Sequence, residues 1–224
     1  MLALGFLLIV QIAPLAVQVQ KVQSETAQEG HSMQAGSPVP GSPEDIAYSE
    51  FMHRLNGAFV ILLGVLAILE RRWVKASGFL HWGWPALFLL SGVYLMIQSD
   101  QDGWPIGEKN FVESMHDPTI FQHKIAASIL LLLGFSELLL RTSWKLPALG
   151  WVFPTLAVSA GFILFFHGHA GHHAMNIYIQ HLFMGGTALA IGVTRGFAKK
   201  FKAGESLWPF MILLLGLQLL FYTE

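Results

Sequence analysis

The chain has 224 residues, of which 54% are hydrophobic and only 12% charged, about half the charged share of an ordinary soluble domain. A formal net charge of -1 leaves no basic footprint for nucleic acid, and the absence of cysteine excludes disulfides, iron–sulfur clusters and thiolate metal sites. Imidazole, carboxylate and thioether remain as metal ligands, and ten His and eight Met supply them.

In chain order, residues 1–17 (MLALGFLLIVQIAPLAV) form an apolar run that reads as a signal peptide or an N-terminal anchor helix, with neither a basic n-region nor a clean small-x-small cleavage site. Residues 18–49, rich in Gln, Ser, Gly and Pro, read as a flexible exported segment. Six further apolar segments lie within residues 50–224, at about 52–70, 79–98, 119–140, 147–166, 175–194 and 207–222. Each is near the roughly 20 residues that carry a helix across about 30 Å of hydrocarbon. The expected fold is therefore all-α: a polytopic transmembrane helical bundle of six helices, beside the N-terminal signal or anchor helix.

The basic residues sort by loop. Arg71, Arg72 and Lys75 follow the first segment, Arg141 and Lys145 the third, and Arg195, Lys199, Lys200 and Lys202 the fifth. The positive-inside rule puts these alternate loops in the cytoplasm, and the remaining loops and the N-terminal segment outside. A lipid bilayer is the expected partner; nucleic acid is not.

A repeat narrows the architecture. The odd-numbered segments contain His53-x10-Gly64, His123-x10-Gly134 and His181-x10-Gly192, and eleven residues return to nearly the same face of a helix. The even-numbered segments contain Trp84-Pro85-x6-Gly92, Pro154-x6-Gly161, with Trp151 three residues earlier, and Trp208-Pro209-x6-Gly216. These spacings read as three copies of a helical hairpin, with small residues where helices approach and Trp at the membrane interface.

Topology and repeat together put His53, His123 and His181 near the outer ends of three helices. His167, His169, His172 and His173 fall in the outer loop HGHAGHHAM, His116 in the other outer loop and His31 in the exported segment, leaving only His81 at the cytoplasmic edge. One imidazole near a helix end is an ordinary interfacial group, but four in seven residues beside three on helices form a metal-ligand set. His53, His123, His167, His169, His172, His173 and His181 are the candidate metal ligands. Met33, Met52, Met115 and Met175 each stand within two residues of a histidine, and thioether beside imidazole favours copper.

Of the carboxylates on that side, Asp100, Asp102 and Glu108 read as a solvated loop, whereas Glu50, Glu113 and Asp117 are candidates to orient imidazoles or attract cations. Glu137 lies about four turns past His123, where an ionisable group is costly; pairing with Arg141 at i+4 is its simplest role. No phosphate-cradling glycine loop, nucleophile elbow or zinc-protease helix is present, so no catalytic residue is singled out.

The block from Trp104-Pro105-x-Gly107 through Glu113, Asp117-Pro118 and Gln122-His123-Lys124, then Phe166-His167-Gly168-His169 and His181, resembles the membrane domain of copper-resistance D (CopD-like) proteins over roughly residues 50–200. That resemblance implies copper handling, by import, delivery or sequestration, at the outer face of a bacterial inner membrane. It carries over to His123, His167, His169 and His181; His172 and His173 are additional, and His53 rests on the repeat alone. The same helix-borne histidines suit a second chemistry, axial ligation of haem b in a cytochrome that passes electrons to or from quinol. Depth separates the two, because haem ligands are expected a turn or more inside. His181 stands 14 residues from Arg195, whereas His53 and His123 stand 18 from Arg71 and Arg141. A third reading is an accessory subunit of a larger membrane complex, its histidines packed against partners.

Overall fold

A computed structural model describes residues 41–73, 78–142, 147–167, 174–198 and 200–224. The apolar run at 1–17 and the histidines His31, His169, His172 and His173 lie outside the described residues. Among the described residues the protein is all-α, with helices α1 (Pro43–Arg72), α2 (Gly78–Gln98), α3 (Phe111–His116), α4 (Pro118–Leu140), α5 (Leu149–Phe165), α6 (Ala174–Phe197) and α7 (Lys202–Leu220). By length and composition α1, α2, α4 and α6 can each cross a membrane, while Leu149–Phe165 and Gly204–Leu220 are shorter apolar stretches. Large apolar side chains such as Leu90, Leu132, Phe162, Phe183 and Leu214 stand exposed around the outside, as a lipid-facing surface requires.

The helix starts explain where the chain departs from its hydropathy. Helix α1 begins at Pro43, inside the 18–49 stretch read as flexible, because Ser42 caps it by accepting the Asp45 amide at 3.2 Å while Pro43 occupies the first turn. Between α2 and α4, Asn110 and Glu113 form a capping box that starts α3. Asp117 then accepts the amides of Thr119 and Ile120 to start α4. A segment that reads as solvated loop is thereby fixed against the end of the bundle.

The helices follow one another around a closed ring, α1–α2–α4–α5–α6–α7 and back to α1. Three neighbouring pairs share one device. A Cβ added at Gly64 of α1 would lie 2.8 Å from Leu213 of α7, and one at Gly216 of α7 would lie 2.7 Å from Ile61 of α1. Gly92 of α2 meets Leu131 and Gly134 of α4 meets Leu89, each at 2.8 Å. Gly161 of α5 meets Leu189 at 2.8 Å, and Gly192 of α6 meets Val158 at 2.7 Å. Each pair thus interlocks two glycines with the residues three positions before them. The interlocked pairs are α1·α7, α2·α4 and α5·α6, so the tight seams run between the sequence hairpins and not within them.

Inside the ring, Trp84, Phe153 and Trp208 form an aromatic triangle with centroids 5.7 Å apart for Trp84–Trp208 and 5.6 Å for Phe153–Trp208. Each immediately precedes a buried proline, so Phe153, and not the 55% exposed Trp151, is the equivalent of the two tryptophans. Trp84 and Trp208 are buried, where an interfacial position was expected, because guanidinium groups cover them: Arg141 lies 4.4 Å over Trp84 and Arg195 lies 4.4 Å over Trp208. The same two arginines hold Glu137, which is only 1% exposed, at 2.9 Å and 3.1 Å. Glu70 joins them, accepting from the Trp84 indole N–H and lying 3.4 Å from Arg141. The expected Glu137–Arg141 pair is therefore present, but inside a network that gives each buried group a partner.

The glycine seams generate a direct test. Gly161→Ala would set its new methyl 2.7 Å from the Gly185 carbonyl oxygen, a backbone atom, whereas Gly186 has nothing within 4 Å. Gly161→Ala should cost about 1–3 kcal/mol by overpacking, with Gly186→Ala near neutral or slightly stabilising. Thermal melting of the two purified variants in detergent checks this; equal melting temperatures would show that the seam is not tight.

Candidate functional site

At the end of the ring opposite the arginine network, four imidazoles come together from different parts of the chain. His53 projects from α1, His123 from the first turns of α4, His167 from the residues just after α5, and His181 from α6. Their rings form a continuous chain: His123 and His167 have centroids 5.1 Å apart, His167 and His181 4.5 Å, and His181 and His53 5.8 Å. His167 and His181 are buried, and His53 and His123 are partly buried.

In each of the four, the Nδ1 atom is tied to a fixed acceptor. His53 Nδ1 lies 2.8 Å from the Ser49 carbonyl and His181 Nδ1 2.8 Å from the Ile177 carbonyl, one helical turn back in each case. His123 Nδ1 lies 2.8 Å from Asp100 Oδ1, and His167 Nδ1 meets Gln122 Oε1. In each case the fixed acceptor makes Nδ1 an N–H donor. Such outer bonds fix the ring angle and basicity of metal-ligating histidines.

Asp100 is the main departure from the sequence reading. It sits just past the end of α2 and is not a solvated loop group: its side chain bonds His123, accepts from the Ser99 hydroxyl and lies 3.7 Å from the Lys124 ammonium. Lys124 is itself buried and donates to the Met96 carbonyl at 2.9 Å and to Ser99 Oγ at 3.0 Å. Burial alone would raise the Asp100 carboxyl, but His123, Ser99 and Lys124 together hold it at about 2. Asp102 instead pairs with Lys109 at 2.6 Å, and Lys109 also reaches Asp117 at 3.0 Å. Glu113 is spent on its capping box.

Tyr222, which follows α7, is the second unforeseen member. It is fully buried, stacks on His53 with a centroid distance of 3.8 Å and an interplanar angle of 17°, and meets His181 edge-on at 5.7 Å. Its hydroxyl donates to Glu224 at 2.9 Å; burial and that carboxylate both push the phenol well above its usual range.

Of the seven candidate ligands, His53, His123, His167 and His181 are thus brought together, and His169, His172 and His173 lie outside the described residues. His116 is exposed and bonded to the Val112 carbonyl of its own helix, and His81 bonds Glu70 at the other end. The thioethers take other roles: Met52 is buried with its sulfur 3.6 Å from the Tyr94 hydroxyl, and Met175 is 65% exposed. Among the described residues no group of three or more His, Asp or Glu side chains is placed so that it could hold a metal ion. No protein-family model, no curated protein and no solved structure matches the chain.

The Asp100 environment fixes a pH dependence. A carboxyl held near 2 in the folded protein and near 3.8 when unfolded favours the fold above pH 4, and that contribution is lost as pH falls from about 4 to about 2. Replacing Asp100 with Asn should remove this part of the profile and lower stability by about 2 kcal/mol at neutral pH. Unfolding midpoints of parent and variant between pH 2 and 7 check it; parallel profiles would mean that Asp100 is not held by its neighbours.

Proposed function

We propose that this integral membrane protein binds copper, or a similar transition ion, at the four-imidazole cluster, and serves copper handling or delivery at the outer face of a bacterial inner membrane. The observation that carries the reading is the ring spacing. Imidazole nitrogens about 2.0 Å from one ion put ring centroids about 5 Å apart at a tetrahedral angle and about 6 Å apart when opposed across it. The distances between neighbouring rings, 4.5, 5.1 and 5.8 Å, run from just under the tetrahedral value to near the opposed one. Rings 4.5 or 5.1 Å apart are too close to flank a porphyrin iron, so of the neighbouring pairs only His53 and His181, at 5.8 Å, have the opposed spacing that haem b would need. Capture then requires the side chains to draw together around the ion, since no three of them hold one as they stand.

Among divalent first-row ions, copper forms the most stable complexes with nitrogen donors, and the resemblance to copper-resistance D proteins points the same way. The thioethers of Met52 and Met175 do not add to that preference, since neither stands in the imidazole cluster. In this reading the four long helices and the shorter α5 and α7 make three repeats of one hairpin and complete the membrane domain. The arginine end faces the cytoplasm by the positive-inside rule, and the histidines face out. Between the ends the core is mostly apolar, with Leu63, Ala127, Ile129, Leu133, Ile191 and Phe88 among its members and the buried Ser91, Ser136 and Thr187 interrupting it. Holding an ion at the mouth fits that core better than conducting it across.

Helix-borne imidazoles are positioned before binding, whereas a loop chelate must lose backbone entropy to form. The His123→Ala, His181→Ala protein should therefore bind Cu(I) and Cu(II) more than about 100-fold more weakly than the parent, and the His172→Ala, His173→Ala protein within about tenfold of it. Titration of each purified variant against a competing chelator reads this, and in right-side-out vesicles an impermeant chelator should strip the bound copper. Parent-like binding by the first variant would remove the metal from the bundle. Loss of a parental Soret band would replace the ion with haem.

A further inference from the structure

Tyr222 stands against the cluster without offering it a ligand atom. The flat face of its ring covers His53 and its edge meets His181, while its hydroxyl is turned to Glu224. The segment that carries it is tied to the two helices that carry those histidines. From α1, the Ser49 hydroxyl donates to the Glu224 carboxylate, Glu50 accepts the Glu224 amide at 3.1 Å and Arg54 donates to the Tyr222 carbonyl at 3.3 Å. From α6, Asn176 and Gln180 donate to the Thr223 carbonyl at 3.1 and 2.6 Å, and Gln180 Oε1 accepts the Thr223 amide at 3.2 Å. A buried aromatic ring held from both sides in this way is a rigid wall, not a mobile side chain.

Resting on the reading of the cluster as a metal site, we propose that Tyr222 determines its specificity by closing one side of the imidazole set, so that a bound ion keeps a low coordination number. Four imidazoles bounded by an apolar ring suit Cu(I) and Zn(II), which accept four or fewer ligands. Ni(II) prefers square-planar or six-coordinate surroundings, which need open positions beside the imidazoles, and the ring lies flat against one of these, His53. The phenol oxygen is not part of the selection, because Glu224 engages it; the ring is.

The test titrates the purified full chain with Cu(I), Zn(II) and Ni(II) against a competing chelator, in the parent and in Tyr222→Phe, Tyr222→Leu and Tyr222→His. Tyr222→Phe should keep the parental Ni(II)-to-Zn(II) affinity ratio. Tyr222→Leu should raise that ratio about tenfold by opening the side that the flat ring closes, and Tyr222→His should raise it further by adding a fifth nitrogen. Far-ultraviolet circular dichroism identifies any variant that fails to fold, and either the Leu or the His protein alone then carries the comparison. An unchanged ratio in a folded Leu or His variant, with the parent binding metal, overturns the role of Tyr222. A Phe variant as altered as the Leu variant would make the hydroxyl a ligand and also overturn it. A parent that binds none of the three ions removes the metal site itself, and this inference with it.

Discussion

Helices come close where one of them presents no side chain, and in this protein six of the glycines at such contacts are arranged as three reciprocal pairs. At Gly64–Leu213 and Gly216–Ile61, at Gly92–Leu131 and Gly134–Leu89, and at Gly161–Leu189 and Gly192–Val158, there is no space for even one methyl group. In a membrane the hydrophobic effect does not drive helices together, so such close contact, with the dispersion energy it yields, is what holds neighbours in register. Each histidine of the repeat stands eleven residues before one of these glycines, on the same helix face. Fixing the glycine seams therefore fixes where His53, His123 and His181 stand, and their convergence follows from helix packing before any ligand is considered.

The two ends of the ring solve opposite problems of burial. At one end, carboxylates and guanidinium groups neutralise each other over an aromatic triangle, with Glu137 gripped by Arg141 and Arg195 and with Glu70 bonded to Trp84. Charges so paired hold an end shut, since removing one partner would strand the other in low dielectric. At the other end, polarity is supplied by four imidazoles, each with one nitrogen committed to a fixed acceptor, beside the Asp100–Lys124 pair. Imidazole is a natural ligand for transition ions.

The glycine and histidine spacings were legible in the sequence because helical periodicity turns a repeated interval into a shared face. The seams they form were not, since spacing says which face is small but not which neighbour it meets; the partners proved to lie across the hairpins. Asp100 was missed for a related reason. Several carboxylates share that side, and nothing local distinguishes the one that folds back. Lys124 held the clue: an ammonium one residue after a cluster histidine, inside an apolar helix, calls for a counter-charge at the same end, and Asp100, two residues past Gln98, is in reach. Tyr222 gave no such clue, because its contact with His53 depends on α7 closing the ring against α1. The Trp-Pro pattern misled in one copy, where Phe153 fills the place that Trp151 was expected to share. The methionines misled by adjacency: Met52 neighbours His53 in sequence but points from a different side of the helix, toward Tyr94.

X-ray absorption at the copper edge of the purified, Cu(I)-loaded full chain tests the imidazole cluster most directly, because it reads the donor atoms themselves. A bundle-borne site made of His53, His123, His167 and His181 gives three or four nitrogens at about 2.0 Å with the outer-shell scattering of imidazole rings, and no sulfur. A sulfur shell at about 2.3 Å would transfer the ion to methionine and contradict the site described.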